Sequence, residues 1–159
     1  FPMDAESQAR KQLTKLIDGK EAYLPFEEAV YGVPAGLKGI IPDKLPYSLW
    51  HLLEHIRLTQ HDILQYSKKT AYESPPWPEG YWPGNKAPQN EEAWQNTIKT
   101  IQQERDAMCE LIEKAPESIF QPFSNGSGHT LFRQGMLIAE HTAYHTGQIV
   151  VVRRLLGIW

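Results

Sequence analysis

The feature that most constrains the fold of this chain is the placement of its prolines and glycines. They concentrate in two long stretches, 20–46 and 74–88, and the second alone holds five prolines. Proline has no backbone N–H to donate, and its ring clashes with the preceding helical turn, so neither stretch can belong to a long helix. The sequence therefore predicts two long crossovers, with one short helix over 26–30 in the first.

Outside the crossovers, apolar residues recur at three- and four-residue steps, which is the period of an amphipathic helix. The predicted helices are 4–17, 48 to about 71, about 90–114, and 129 or 130 to 156. Gly19, Pro116 and Gly157 follow three of them and are typical helix-ending residues. We therefore expect an all-α fold, a four-helix bundle whose long crossover loops argue against a simple up-down-up-down order.

Length and charge narrow the possible functions. A chain of 159 residues fits one domain, 1–159. A domain of this size buries enough apolar surface to form a stable core without disulfides or a structural metal. The net charge of −3 provides no basic surface for a nucleic-acid partner. No apolar run approaches the ~20 residues that span a bilayer, so no membrane partner is expected either.

Cysteine content and the first residues bear on chemistry and location. Cys109 is the only cysteine, so the chain forms neither an internal disulfide nor a cysteine metal site, and any metal must use histidine and oxygen ligands. Phe1 and Pro2 are not a normal translation start and are either residues left by cloning or the edge of a removed leader. We expect a cytoplasmic protein, with an exported form as the alternative.

Two histidines of the last predicted helix, His141 and His145, are spaced i, i+4. At 100° per residue their side chains point within ~40° of each other and can reach one ion. Leu137, Ile138 and Val152 share their stripe, so both imidazoles are expected to face the core. Taken alone, the pair is a weak indication of a metal, because helical i, i+4 histidines also occur by chance.

A third histidine, His55, lies on the core-facing stripe of the second long helix. Three nitrogens from two adjacent helices form a catalytic type of metal site, because they leave one or two coordination positions open. His51 lies one turn earlier and is a rival ligand, a group behind the ligands, or a half-exposed histidine near a helix start. His61 is expected at the surface, and His129 in a cap or a turn.

Other polar side chains near the histidines are candidate catalytic residues. Asp62 lies about two turns further along the second long helix and is the best candidate for orienting an imidazole or taking a proton. Glu54 and Glu140 each precede a predicted ligand, and for all three carboxylates a surface position is the alternative. Tyr144 and Gln148 flank the last histidine and either bind a ligand or pack and hydrogen-bond between helices.

The proline-rich stretch 74–88 carries three aromatic residues, Trp77, Tyr81 and Trp82. A proline-stiffened aromatic loop exposed on its own would form a costly apolar patch. We therefore predict that this stretch, called the flap below, crosses the bundle and that Tyr81 and Trp82 cover the mouth of the metal pocket. Trp77 is the third candidate for this cover.

Three motifs resemble those of one known family. They read SLWHLLEHI at 48–56, WPEGYWP at 77–83 and HTAYHTGQI at 141–149. In this order they are similar to the DinB/YfiT-like four-helix bundle metalloproteins, over most of the chain. The resemblance implies an unusual helix order, a nickel or zinc ion on the three histidines, and a homodimer. Characterised members of that family include thiol-dependent S-transferases and a maleylpyruvate isomerase, which use a low-molecular-weight thiol.

Several functions fit such a site. A zinc or nickel ion on three neutral imidazoles keeps its positive charge and lowers the pKa of a water or thiol that it binds. One function is thiol-dependent S-transfer or isomerisation of a small-molecule substrate, and another is hydrolysis of an ester or amide by activated water. The competing interpretations are a bundle that the metal only stabilises and an interaction bundle without any metal.

Overall fold

The computed structural model describes residues 4–68 and 71–159, and in these residues it contains α-helices and no β-strand. The helices are α1 (Ala5–Asp18), α2 (Phe26–Val30), α3 (Leu49–Lys68), α4 (Glu91–Lys114) and α5 (Leu131–Leu155). The predicted all-α class is confirmed, with four long helices and the short one in the first crossover. The expected helix end near Ala71 depends on residues 69 and 70, which lie outside the described residues, as do Phe1 and Pro2.

A polar side chain caps the first turn of each long helix. The capping residues are Asp4, Ser48, Asn90 and Thr130, whose side-chain oxygens accept from the backbone N–H three residues later at 2.8, 3.2, 2.8 and 3.1 Å. Each cap satisfies one of the N–H groups that a helix start leaves without a partner. These local signals explain why the predicted and observed helix starts agree within about one residue. None of the described helices is long and apolar enough to cross a membrane.

Two hydrophobic clusters hold the long helices together. The first contains Leu49, Leu53 and Ile56 of α3, Trp94 and Ile101 of α4, and Ile149 and Val152 of α5. The second contains Ile63 and Leu64 of α3, Met108 and Ile112 of α4, Leu131 and Ile138 of α5, and Leu13 and Ile17 of α1. The start of α3 thus meets the start of α4 and the end of α5, so α3 runs parallel to α4 and antiparallel to α5. Each fully buried Leu or Ile contributes about 1.5–3 kcal/mol to this packing.

The parallel arrangement of α3 and α4 explains the second crossover. At 1.5 Å per residue, a helix of 20 residues such as α3 is about 30 Å long. A chain that leaves the end of α3 and begins a parallel neighbour must return over that whole length, which a tight turn cannot do. The flap makes this return, and its 3-10 turn, Glu79–Tyr81, packs against α3 on the side that carries His55.

Candidate metal centre

The packing of α3 against α5 brings three histidines to one point. His55 comes from α3, and His141 and His145 come from successive turns of α5. One ring nitrogen from each can be chosen so that all three lie within 4.8 Å of one another. The Nε2 atoms of His55 and His141 are 3.1 Å apart. The structure therefore brings together the three residues that the sequence singled out, and ion binding by them stays a prediction.

Two of the rings have their tautomer set by a neighbouring acceptor. The Nδ1 atom of His55 lies 2.7 Å from the backbone carbonyl oxygen of Tyr81, which can only accept, so Nδ1–H donates. Nε2 of His55 therefore carries the lone pair, which faces Nε2 of His141 at 3.1 Å and can accept from it. The Nδ1 atom of His145 lies 2.6 Å from Oε1 of Gln148, which also accepts, so Nε2 of that ring carries the lone pair as well. Acceptors on Nδ1 are what metal-binding histidines usually have, because they orient the ring and raise its basicity.

The histidines are held in their neutral form. Burial, together with repulsion from the rings of His145 and His55, lowers the pKa of His141 to about 3. Burial also lowers the pKa of His145 to about 4, against the opposing effect of the hydrogen bond to Gln148, and lowers the pKa of His55. None of the three rings hydrogen-bonds to a carboxylate within residues 4–68 and 71–159. At neutral pH the centre therefore offers uncharged nitrogens with available lone pairs.

The donor set fits a divalent transition metal. Zinc binds imidazole nitrogens at about 2.0–2.1 Å, which in a tetrahedral site puts two such nitrogens roughly 3.3 Å apart. The observed 3.1 Å between the Nε2 atoms of His55 and His141 is close to that value. Three neutral imidazoles suit zinc or nickel, whereas magnesium and calcium prefer oxygen ligands.

The flap covers one side of the centre. The ring of Trp82 stacks on His55 with centroids 3.8 Å apart and planes 3° apart, and it meets His145 edge-on at 6.3 Å. Tyr81 is buried, and its hydroxyl donates to Oδ2 of Asp62 at 2.9 Å. Trp77 remains 71% exposed and contacts Tyr81 at a centroid distance of 5.4 Å. The expected cover is observed for Trp82, whose ring lies on His55, while Tyr81 reaches the centre with its backbone carbonyl and the ring of Trp77 packs against Tyr81.

Among the residues that the structure describes, the three candidate carboxylates are not hydrogen-bonded to the histidine rings. Glu54 accepts from Arg57 and from the Thr97 hydroxyl, and so ties α3 to α4. Glu140 is exposed on α5. Asp62 is hydrogen-bonded to the flap, and in the part of the chain that the structure describes no hydrogen bond joins it to a histidine. A direct contact between a carboxylate and an imidazole is therefore not how this centre is organised.

The two residues that flank His145 behave differently. Gln148 accepts from the His145 ring, as described above, so its hydrogen bond serves a predicted ligand. Tyr144 is 65% exposed, and its ring meets that of His145 edge-on with centroids 4.9 Å apart. Tyr144 thus lies at the solvent side of the centre.

The remaining histidines lie outside the cluster. The ring of His51 faces the helix start, where its Nδ1 lies 3.1 Å from the backbone nitrogen of Ser48, and burial lowers its pKa. It is therefore not the rival ligand in this structure. The side chain of His61 is 46% exposed and pairs with Glu104 at 2.5 Å. His129 lies in the turn before α5, where its backbone N–H donates to Ser127.

Sequence reasoning missed two parts of the centre. The acceptor for His55 is the backbone carbonyl of Tyr81, and a backbone group leaves no signal in the residue pattern. The stacking of Trp82 on His55 was expected only as a general cover. The hydrogen bond from His145 to Gln148 could have been found, because residues i and i+3 of a helix are neighbours.

Comparison with known proteins supports one assignment. No curated protein and no solved structure matches the chain. The family model described as the DinB superfamily matches residues 21–149, a range that contains all three histidines, α3, α4, the flap and most of α5. Because this match extends over most of the 159 residues, the chain belongs to the DinB superfamily.

Proposed function

We propose that this protein is a metal-dependent enzyme in which His55, His141 and His145 hold a zinc or nickel ion and a low-molecular-weight thiol is the co-substrate. The reaction would be S-transfer to, or isomerisation of, a small electrophilic molecule. The observation that carries the proposal is the convergence of three neutral imidazoles with no fourth His, Cys, Asp or Glu ligand in the described residues. Closed structural zinc sites usually have four protein ligands, whereas catalytic sites keep a position open.

Each neighbouring residue has a part in this function. The ion, when bound, supplies a positive charge that lowers the pKa of a thiol or water. The carbonyl of Tyr81 and the amide oxygen of Gln148 hold the protons of two rings at Nδ1, so that the Nε2 lone pairs stay available. Trp82 keeps water from one face of His55, while the exposed ring of Tyr144 offers a contact for an incoming molecule.

Hydrolysis is the second candidate reaction. A metal hydrolase generally needs a carboxylate that takes the proton of the attacking water, as in metalloproteases. Asp62 is the candidate for that role, but one of its oxygens already accepts the Tyr81 hydroxyl. This engagement supports a thiol, which an ion can activate without a separate base, over water as the nucleophile. A purely stabilising metal that ties α3 to α5 is the competing function without catalysis.

The decisive experiment uses protein purified without chelator. Elemental analysis should give about one zinc or nickel ion per chain, and a panel of thiols with electrophiles should reveal turnover that chelation removes and the restored metal recovers. The matched control is the chelated protein returned to buffer without metal. The same protein is also tested on a panel of esters for hydrolysis. One ion per chain with no turnover on either panel would contradict an enzymatic function and support a metal that only stabilises the bundle.

We extend the proposal to assembly and location. Four large apolar side chains remain exposed along α5: Met136, Tyr144, Val151 and Leu155. Such a face supports a homodimer through α5, and sedimentation analysis at micromolar concentration should then give twice the chain mass of 18.2 kDa. A cytoplasmic location is also part of the proposal, and fractionation of the native host tests it.

A further inference from the structure

We infer that Asp62 is a positioning residue for the metal centre, acting on His55 through Tyr81. The inference rests on the proposed metal site and adds a residue that contacts neither the ion nor the imidazoles. It follows from two hydrogen bonds that Tyr81 makes with α3. Its hydroxyl donates to Oδ2 of Asp62 at 2.9 Å, and its backbone carbonyl accepts from Nδ1 of His55 at 2.7 Å.

Tyr81 bridges His55 and Asp62, two residues on the same side of α3. His55 and Asp62 are seven residues apart, which places them on the same face of α3, about 10 Å apart along its axis. Tyr81 spans this distance, with its main chain at His55 and its side chain at Asp62. Because both ends are held, the carbonyl oxygen that orients the His55 ring has little freedom to move.

The part of the flap around Tyr81 is held by its own hydrogen bonds. The position of the Tyr81 carbonyl at His55 therefore depends mainly on how this part is attached to α3. The N–H of Gly80 donates to the carbonyl of Pro76 at 2.8 Å, and the N–H of Tyr81 donates to that of Pro78 at 3.1 Å. A Cβ atom built on Gly80 would lie 2.3 Å from Cβ of Pro75, so the turn is closely folded on itself. A unit of this kind docks or leaves as a whole.

Asp62 also acts on a residue just before the flap. Its negative charge and hydrogen bonding contribute to the raised pKa of Tyr72, near the start of the crossover, after burial as the main cause. The carboxylate of Asp62 therefore acts on the crossover near its beginning as well as on Tyr81, next to the metal centre.

This arrangement couples flap docking to metal binding. An ion on Nε2 of His55 favours the ring orientation with Nδ1–H directed at Tyr81, and that contact in turn favours the docked flap. Coupling between two equilibria is reciprocal, so docking of the flap raises metal affinity by the same factor by which the metal favours docking. A change that loosens the flap therefore weakens metal binding by up to that factor.

The test uses two conservative variants, Tyr81→Phe and Asp62→Asn, and their double variant. Tyr81→Phe removes only the hydroxyl, and Asp62→Asn removes only the charge. We expect each to weaken zinc and nickel affinity about 10- to 100-fold, as loss of groups that orient metal ligands typically does. The double variant should lose much less than the product of the two factors, because both changes act on the same hydrogen bond. Tyr66→Phe and Asp106→Asn are the matched controls, and circular dichroism verifies that each variant is folded.

A second readout needs no metal. In the metal-free protein, the amide hydrogens of Gly80 and Tyr81 should exchange faster in both variants, and ring nitrogen NMR should show His55 losing its single Nδ1–H tautomer. Faster flap exchange with unchanged metal affinity, or unchanged exchange and tautomer, would overturn the inference. A wild-type chain that takes up neither metal would end the proposed function and the coupling with it, and the metal-free readouts would still reveal whether Asp62 holds the flap.

Discussion

Two polar centres in this bundle differ in how their hydrogen-bonding groups are used. At the end of the bundle where α4 leads towards α5, Arg10 of α1 uses all five of its N–H groups. It donates to Glu6 from Nε and Nη2, and to the carbonyls of Ile112, Ala115 and Glu117 at 2.7, 3.0 and 2.8 Å. Glu6 in turn accepts from the Ser118 hydroxyl and from the N–H of Ile119. Every donor of the guanidinium has an acceptor.

The histidine centre lacks this complementarity. The Nε2 atoms of His55 and His141 face each other at 3.1 Å, and the ring of His145 meets both, while within residues 4–68 and 71–159 no carboxylate hydrogen-bonds to the group. Three imidazoles that are directed at one another rather than at a carboxylate form a donor set that suits a divalent transition metal. The comparison separates a polar centre that stabilises the fold from one that is arranged to receive a ligand.

The largest effect is expected at the histidine centre. His145→Ala should lower metal affinity by more than about 100-fold, because loss of an orienting group alone costs up to that factor, and metal-dependent turnover should fall to background. Helicity should persist, since the core clusters and not one ion hold the long helices. Metal titration, turnover and circular dichroism check the three statements.

The control for that variant is His61→Ala, which removes an exposed histidine that already has a carboxylate partner. It should leave metal content unchanged. If His145→Ala instead lowers the melting temperature as much as chelation does, the metal has a structural role. Turnover that survives in the metal-free variant would contradict the enzymatic function.

The next largest effect should be a loss of fold stability without any loss of metal affinity. Arg10→Ala removes a guanidinium that is only 17% exposed, so three backbone carbonyls lose this donor and Glu6 loses its ion-pair partner. We expect a loss of about 2–3 kcal/mol in the free energy of unfolding, with metal affinity unchanged. Urea unfolding measures the first and metal titration the second, with Lys11→Ala as the exposed control on α1. A large loss of metal affinity would mean that the two centres are not independent.

The last prediction concerns pH, because the two centres should lose stability in different pH ranges. In the metal-free protein the pKa of His145 is about 4 and that of His141 about 3, against 6.5 for an exposed histidine. Between pH 6.5 and about 4 the unfolded chain therefore binds more protons, so stability should fall as pH drops through this range. Glu6 has a pKa of about 2 against 4.5, so its contribution is complete above 4.5 and is lost as pH falls towards 2.

Urea midpoints measured along the pH scale test this order. His141→Asn should reduce the fall in stability in the upper range, and Glu6→Gln should reduce the pH dependence only in the lower one. A metal-free wild type whose stability is constant from pH 6.5 to about 4 would contradict the buried, neutral state of the histidines.

Much of the histidine centre could be predicted because its signals are local. His141 and His145 are neighbours by helical spacing, and the stripe of His55 identifies the face that packs inward. The saturated centre could not be predicted in the same way. Arg10 reads as an ordinary charged residue of an amphipathic helix, and its carbonyl acceptors lie about a hundred residues away along the chain.

The helices and the three candidate ligand histidines can be read from the order of residues alone. Apolar periodicity, caps and prolines act within one or two helical turns, so they can be read without knowing the neighbours. The parallel course of α3 and α4, the stacking of Trp82 on His55 and the connection of Asp62 to the centre through Tyr81 emerge only from the folded arrangement. These relations depend on which helix faces pack together and on backbone groups that every residue possesses, and neither leaves a mark in the order of side chains.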